Sequence, residues 1–153
     1  RGSFLAAPLL SIATTQLAAT QATPEDIAQL REIQRHFCAA IEANATQARV
    51  LYNDRFHHEI GLMARNHYLM PSLRRLLIDH ARLGKTFYRS PVTDDMREDM
   101  AKAVLQHEQI IDAIERRDPK RAGEIVREHW DLSRRRMTEY VMPDGVDVPA
   151  FME

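Results

Sequence analysis

Apolar residues recur every three or four positions along most of this 153-residue chain, a spacing that predicts amphipathic helices. Three histidines interrupt the pattern at positions where the spacing requires apolar side chains: His57, His107 and His129. Asn53 lies one helical turn before the first of them. Because side chains three and four residues apart share a helix face, all four residues are predicted to point into the interior.

The neighbours of each histidine decide this orientation. The face around His107 is apolar apart from the imidazole, and it comprises Met96, Met100, Ala103, His107, Ile110 and Ile114. The face around His129 comprises Ala122, Ile125, His129 and Leu132. The helix that carries His57 has two neighbouring faces. The face with Val50, Asn53, His57, Ile60 and Ala64 is less polar than the face with Leu51, Asp54, His58, Gly61 and Arg65. Asn53 and His57 are therefore favoured as inward residues over the parallel pair Asp54 and His58, a choice that a different helix register would reverse.

Several inward histidines on separate helices have a chemical consequence. A single histidine on an apolar face is usually a hydrogen-bonded core residue, and that interpretation remains open for each one. Three together need partners for all their ring nitrogens, and one shared divalent cation satisfies three nitrogens at once. Asn53 and His57 have the i, i+4 separation at which two side chains of a helix can reach one ion. The spacing therefore indicates a candidate metal site at Asn53, His57, His107 and His129.

Length, charge and cysteine content limit the function classes. The chain has the length of one ordinary domain and needs neither metal nor disulfides to build a core. The single cysteine, Cys38, cannot form an internal disulfide, and its apolar neighbours predict a buried thiol in a reducing cytoplasm. A net charge of -1 with both signs mixed along the chain gives no electrostatic basis for nucleic-acid binding by this segment.

The N-terminus carries a short apolar run from Phe4 to Ala13 after Arg1, similar to a signal peptide. Pro8 lies within this run and the alanine-rich pattern continues beyond it, so a helix of the domain is favoured over a signal peptide. The run is shorter than the roughly 20 apolar residues that a membrane span needs. Because the chain starts without Met, it is expected to be part of a longer protein.

The remaining signals predict an all-α fold, an antiparallel bundle of about six helices around a central pocket, with no sheet. Helix boundaries follow from Thr23-Pro24, Ser90-Pro91 and Asp118-Pro119 as starts, and from Asn66 and Gly84 as ends. The predicted helices after the N-terminal one cover about 24–44, 46–65, 68–83, 92–117 and 119–140. Residues 1–142 are expected to form one ligand-binding domain, and residues 143–153 a loosely ordered tail.

Two segments carry a family resemblance. Asn53-Asp54-Arg55-Phe56-His57, followed by Ala64-Arg65-Asn66, resembles the "D/N-x-x-F-H... A-G-N" motif of the FCD domain, the effector-binding half of FadR-type GntR transcriptional regulators. Gln106-His107-Glu108 and the residues that follow, up to His129, are similar to the family pattern "E-H-x-x-I-x-x-A-I... D... A... H". The resemblance extends over nearly the whole chain, and the spacing of the three histidines is its most specific part.

The resemblance implies a fold and a function. FCD domains are antiparallel helical bundles that commonly bind Zn, Ni or a similar divalent ion through one Asp or Asn and three His. Carried over, the ligands here are Asn53, His57, His107 and His129. The family further implies a small organic acid beside the metal, a homodimer, and operator DNA bound through an N-terminal winged helix-turn-helix domain that this chain lacks. It implies no enzymatic activity and no membrane partner.

This chain departs from the family pattern at three places. Many relatives carry an "R-x-x-L-E"-like motif in the first helix, where this chain has Ala7-Pro8-Leu9-Leu10-Ser11, so its effector contacts are expected to differ. Arg65 replaces the usual glycine before Asn66. Asn53 stands where many members have Asp, and a neutral amide attracts a cation less strongly, which leaves a more positive site for an anionic effector.

Effector contacts and other functions remain open at this stage. Arg74 could pair with an effector carboxylate and His80 could line the pocket, although a solvated arginine and a core histidine are the commoner roles of such residues. A metal-dependent hydrolase or lyase is an alternative, for which Glu59 or Glu108 would have to supply a general base. A metal that only stabilises the bundle is a third possibility.

Overall fold

Capped segments of helical periodicity fold into six helices in the computed structural model, which describes residues 2–87 and 93–141, with side chains at 8–82 and 93–135. The helices are α1 Gly2–Gln21, α2 Pro24–Glu42, α3 Thr46–Met63, α4 Met70–Phe87, α5 Asp94–Glu115 and α6 Pro119–Val141. No strand occurs within the described residues, and the predicted all-α class is confirmed. The predicted tail at 143–153 lies outside them.

Side-chain caps begin the helices where the sequence places them. Thr23 Oγ1 accepts from the Asp26 amide at 3.1 Å, and the Asp26 carboxylate accepts from the Thr23 amide at 2.9 Å. This reciprocal capping box, with Pro24 in the first turn, starts α2. Asp118 accepts from the Arg121 amide at 3.1 Å and starts α6 in the same manner. Both starts were predicted correctly.

Left-handed residues close three of the helices. Asn44, Arg65 and Arg117 have φ of 53°, 50° and 58° and follow α2, α3 and α5. The prediction that Asn66 closes α3 is wrong, because Arg65 takes the left-handed conformation one residue earlier. Asn66 instead opens the next segment, where its Oδ1 accepts from the amides of Tyr68 and Leu69 at 2.9 and 3.1 Å.

Helix α4 continues through Gly84 to Phe87, so the prediction that it stops at Gly84 is also wrong. A glycine inside a helix costs only about 1 kcal/mol relative to alanine, which neighbouring turns can offset. The Ser90-Pro91 signal expected before α5 lies outside the described residues. Thr93 caps α5 by accepting from the Met96 amide at 3.2 Å.

The helices bury their apolar faces in two layers and in a third, small cluster on α4. Helix α1 packs on α3, α5 and α6, α2 packs on α3 and α5, and α4 covers α3. The larger layer is formed by α1, α2, α3, α5 and α6, with Phe56, Ile60, Ile110, Ile114 and Ile125 among its buried side chains. The smaller layer contains Phe37, Ala103 and Leu132. His107 and His129 lie between the two layers along α5 and α6.

Glycine permits the close approach of α4 to α3. A Cβ added at Gly61 would lie 2.2 Å from Leu73 Cδ2, and Leu73 is itself fully buried. Gly123 on α6 provides a contrast, because there the nearest atom is the amide nitrogen of Gln16, at 2.7 Å, on a flexible and partly exposed side chain. The two glycines therefore differ in whether their neighbour can move.

Gly61→Ala is expected to lower the free energy of unfolding by about 1–3 kcal/mol, the cost of overpacking a filled interior. Gly123→Ala is the matched control and should change it by less than about 1 kcal/mol, since Gln16 can shift and alanine favours the helix. Urea denaturation of both variants measures the difference. Equal effects of the two substitutions would contradict a tight α3–α4 contact at Gly61.

Candidate metal centre and adjoining cavity

Three histidines from three helices converge between the two apolar layers. His57 on α3, His107 on α5 and His129 on α6 are 6%, 0% and 2% exposed. One ligand nitrogen of each lies within 4.8 Å of the others. The inward orientation predicted from helical spacing is therefore observed for all three. Buried imidazoles grouped in this way could hold a divalent cation.

Asn53 directs its side-chain oxygen into the same point. Its Oδ1 lies 3.1 Å from His107 Nε2 and 3.2 Å from His129 Nε2, and the two nitrogens are 3.3 Å apart. Donor atoms at 2.0–2.1 Å from a tetrahedral zinc ion are separated by about 3.3 Å. The three atoms thus have the mutual spacing of ligands around one small cation.

Glutamine side chains fix the tautomer of two of the imidazoles. His107 Nδ1 lies 2.8 Å from Gln34 Oε1, and His129 Nδ1 lies 2.9 Å from Gln106 Oε1. Since an amide oxygen only accepts, each Nδ1 carries the proton and each Nε2 presents a lone pair to the centre. Gln34 is oriented in turn because its Nε2 donates to Val104 O and Glu108 Oε1 at 3.3 and 3.2 Å.

The donor set therefore fits a cation. With Nδ1 protonated on both rings, two imidazole nitrogens and an amide oxygen face one another at 3.1–3.3 Å. A positive ion at their centre would attract all three atoms.

Aromatic packing and burial hold the ligand side chains in place. The His107 ring stacks on Phe56 with centroids 4.0 Å apart and an angle of 8°, and Phe37 contacts it at 4.5 Å. Burial, with a smaller contribution from His80, lowers the pKa of His57 from 6.5 to about 3. His57 is therefore neutral at physiological pH, which is the form that binds metals.

Asp54, the alternative to Asn53, has a different partner. Its Oδ1 lies 2.7 Å from Nδ1 of the buried His80 on α4, and His80 Nε2 lies 3.4 Å from the Ser133 hydroxyl on α6. Asp54 is only 8% exposed, although its face of α3 was interpreted as the polar one. That interpretation is wrong at Asp54 and Gly61, because α4 covers this side of α3. His58 on the same face is partly exposed.

A small cavity of about 10 Å³ adjoins the histidines between α3, α4 and α6. This volume is near the lower limit for a single water molecule. Its walls combine candidate metal ligands with residues of α4 and α6. The lining residues are Asn53, Asp54, His57, Leu77, His80, His129, Trp130 and Ser133.

The remaining predicted residues lie at various distances from this cavity. His80 lines it, as expected, whereas Arg74 is exposed and does not. Glu108 points into a separate groove between α2 and α5, and neither it nor Glu59 lines the cavity. Cys38 lines that groove and is partly exposed, so its predicted burial is wrong. Partial burial, with the nearby carboxylates, raises the pKa of its thiol, which opposes nucleophilic reactivity.

Comparison with known proteins identifies the family and the fold. The FCD domain model matches residues 9–132, which is most of the chain. The chain belongs to the FCD domain family. A solved structure named Streptococcus agalactiae GntR has the same helical fold, with a TM-score of 0.70 and 19% identity over 87% of this chain. The chain spans 56% of that protein's length. A comparison with curated proteins finds no match.

Sequence reasoning missed several polar residues around the candidate metal centre. Gln34 occupies an otherwise apolar face of α2, in the series Ile27, Leu30, Gln34, Phe37 and Ile41. The test that selected the histidines would have selected Gln34 as well. Trp130 and Ser133 gave no such signal, because their roles depend on where α4 packs. Among the described residues, no helix is both long and apolar enough to cross a membrane.

Gln34→Leu is expected to weaken Zn²⁺ binding by about 10–100-fold, because His107 loses the acceptor that fixes its tautomer. Gln29→Leu is the matched control on an exposed position of α2 and should leave the affinity unchanged. Competition with a chromophoric chelator measures both affinities. Unchanged binding in Gln34→Leu would mean that the hydrogen bond does not orient His107 for a metal.

Proposed function

We propose that residues 1–142 form the effector-sensing domain of a GntR-type transcriptional regulator, which binds a divalent metal and a small organic acid. Asn53, His57, His107 and His129 are the proposed metal ligands. The acid is proposed to control DNA binding by a winged helix-turn-helix domain in the full-length regulator. Membership of the FCD family supports the regulatory class.

The convergence of Asn53 Oδ1 with the Nε2 atoms of His107 and His129 at 3.1–3.3 Å is the observation that carries the metal assignment. All four proposed ligands are neutral, so a bound divalent ion would keep its full charge and attract an anion. A small carboxylate satisfies that requirement and is the proposed effector. Zinc or nickel suits three imidazoles, and the ligand set does not select between them.

The size of the cavity supports a sensing mechanism in which the bundle opens. About 10 Å³ does not admit an organic acid, so the walls must separate before one binds. Leu77 and His80 form the α4 wall, and α4 belongs to a small apolar cluster of its own with Met70 and Leu73. An acid that binds the open arrangement better shifts the bundle toward it. Such a differential affinity is what could reposition an attached domain.

The remaining parts of the proposal concern partners and location. We infer a homodimer in the cytoplasm, with operator DNA contacted only outside this segment. The mixed charges and net charge of -1 agree with the absence of a DNA-binding role for the segment itself.

His57→Ala is expected to abolish stoichiometric Zn²⁺ binding, because it removes one of three imidazoles. His58→Ala is the control, because His58 is adjacent in sequence but only partly buried. This variant and the wild type should each bind one ion per chain. Metal analysis of both dialysed proteins, after circular dichroism has verified folding, measures the stoichiometry. Full metal content in His57→Ala would refute the ligand assignment.

Organic acids should bind the zinc-loaded protein and not the chelator-treated protein. Isothermal titration with acetate, glycolate, propionate, lactate, succinate and malate tests this in both forms. If metal raises the thermal midpoint but none of the acids binds, the ion has a structural role and the sensor proposal fails. Binding that is equal with and without metal would contradict a metal-bound acid.

A metal-dependent hydrolase or lyase is the second candidate, favoured by one observation. Asp54 places a buried carboxylate in the cavity wall, where Glu59 and Glu108 do not. A carboxylate beside a metal site can act as a general base. Chromatography of each acid after incubation with the zinc-loaded protein distinguishes the candidates, because a sensor returns the acid unchanged and an enzyme converts it.

A further inference from the structure

Two buried polar atoms beside the proposed metal centre have no hydrogen-bond partner among the described residues. They are Oδ2 of Asp54 and Nε1 of Trp130. Both residues line the cavity, and the Asp54 side chain is 11% exposed with its Oδ2 atom buried. Because burying an unpaired polar group is unfavourable, unpaired groups at the wall of one cavity indicate a ligand within it.

The two atoms require complementary groups. A carboxylate oxygen accepts hydrogen bonds, so Asp54 Oδ2 needs a donor. An indole N–H only donates, so Trp130 Nε1 needs an acceptor. An ionised organic acid supplies acceptors through its carboxylate but no donor. The donor must come from another group of the same molecule.

The neighbours of Asp54 fix which of its oxygens faces the ligand. His80 binds Oδ1 at 2.7 Å, and the contact of His80 with Ser133 at 3.4 Å ties α3, α4 and α6 together at this point. Oδ2 therefore remains as a positioned acceptor. A second carboxylate on the ligand would meet the charge of Asp54 and be repelled.

We propose that Asp54 and Trp130 select a hydroxy acid as effector, in which the hydroxyl donates to Asp54 and the carboxylate accepts from Trp130. This inference rests on the proposed function, since it names the class of acid bound at the same centre. An ammonium group could also donate to Asp54, but a cation beside a divalent metal is disfavoured. A hydroxyl is a neutral donor, so it can bind the Asp54 carboxylate without being repelled by the metal.

Matched ligands test the selection. Zinc-loaded protein is titrated with glycolate against acetate, lactate against propionate, and malate against succinate, with glycine as the amino counterpart. The hydroxy member of each pair is expected to bind about tenfold more tightly, the contribution of one hydrogen bond to a charged group. Equal affinity within the pairs, or tighter binding of glycine than of glycolate, would overturn the proposal.

Variants separate the two roles. Asp54→Asn replaces one carboxylate oxygen with an amide nitrogen, which donates and cannot accept the ligand hydroxyl. The preference for the hydroxy member should therefore fall to about threefold or less. Trp130→Phe keeps the ring but removes the N–H, so affinity for every acid should fall several-fold while the preference remains. Asp112→Asn is the matched control, the same change at an exposed position of α5 outside the cavity, and it should leave the preference unchanged.

The outcomes distinguish the inference from the function on which it rests. If acids bind with no hydroxyl preference, the sensor proposal stands and the role of Asp54 is refuted, with a bound water as the partner of the two unpaired atoms. If no acid in the series binds, the sensor proposal itself fails. If Asp54→Asn does not fold, a preference retained in full by His80→Gln, which loosens the Asp54 carboxylate, would equally refute selection by Asp54.

Discussion

The position of three lone pairs around one point constrains the rest of the bundle. His107 Nε2, His129 Nε2 and Asn53 Oδ1 meet at 3.1–3.3 Å between two apolar layers. A cation at their centre would attract all three atoms and hold the three helices together. Helices α3, α5 and α6 therefore have a preferred separation that depends on what lies at the centre.

Different helices contribute different parts of the candidate metal centre. Helices α3, α5 and α6 provide the converging side chains, while α2 contributes Gln34 and Phe37, which orient His107 by a hydrogen bond and a ring contact. Helix α4 provides no candidate metal ligand, yet it closes the cavity with Leu77 and His80. Its packing on α3 depends on the missing side chain of Gly61. The element that closes the site is thus separate from those that form it.

Helical periodicity predicts most of this architecture because it reports which face of each helix is buried. It placed His57, His107 and His129 inward, and caps at Thr23 and Asp118 located two helix starts. It failed at Asp54, because a face that looks polar in sequence is buried when another helix, α4, covers it. The helix ends predicted from single residues were wrong at Gly84 and Asn66. Helix α4 continues through Gly84, and Arg65 takes the left-handed conformation one residue before Asn66. The face that one helix buries in the core can be predicted from its sequence, whereas burial of its other faces by a further helix, here α4, cannot.

The neutral Asn53 and the acidic Asp54 that follows it determine where negative charge lies at the candidate site. Asn53 Oδ1 reaches the centre without charge, and the adjacent Asp54 carries its charge one position further along α3, against His80. The charge is then one step removed from the candidate ligands and still borders the cavity. With a divalent metal bound as proposed, a ligand entering there would meet the metal charge on one side and the carboxylate of Asp54 on the other. Under the proposed function, attraction for an anion and discrimination among anions would then depend on two neighbouring residues of one helix.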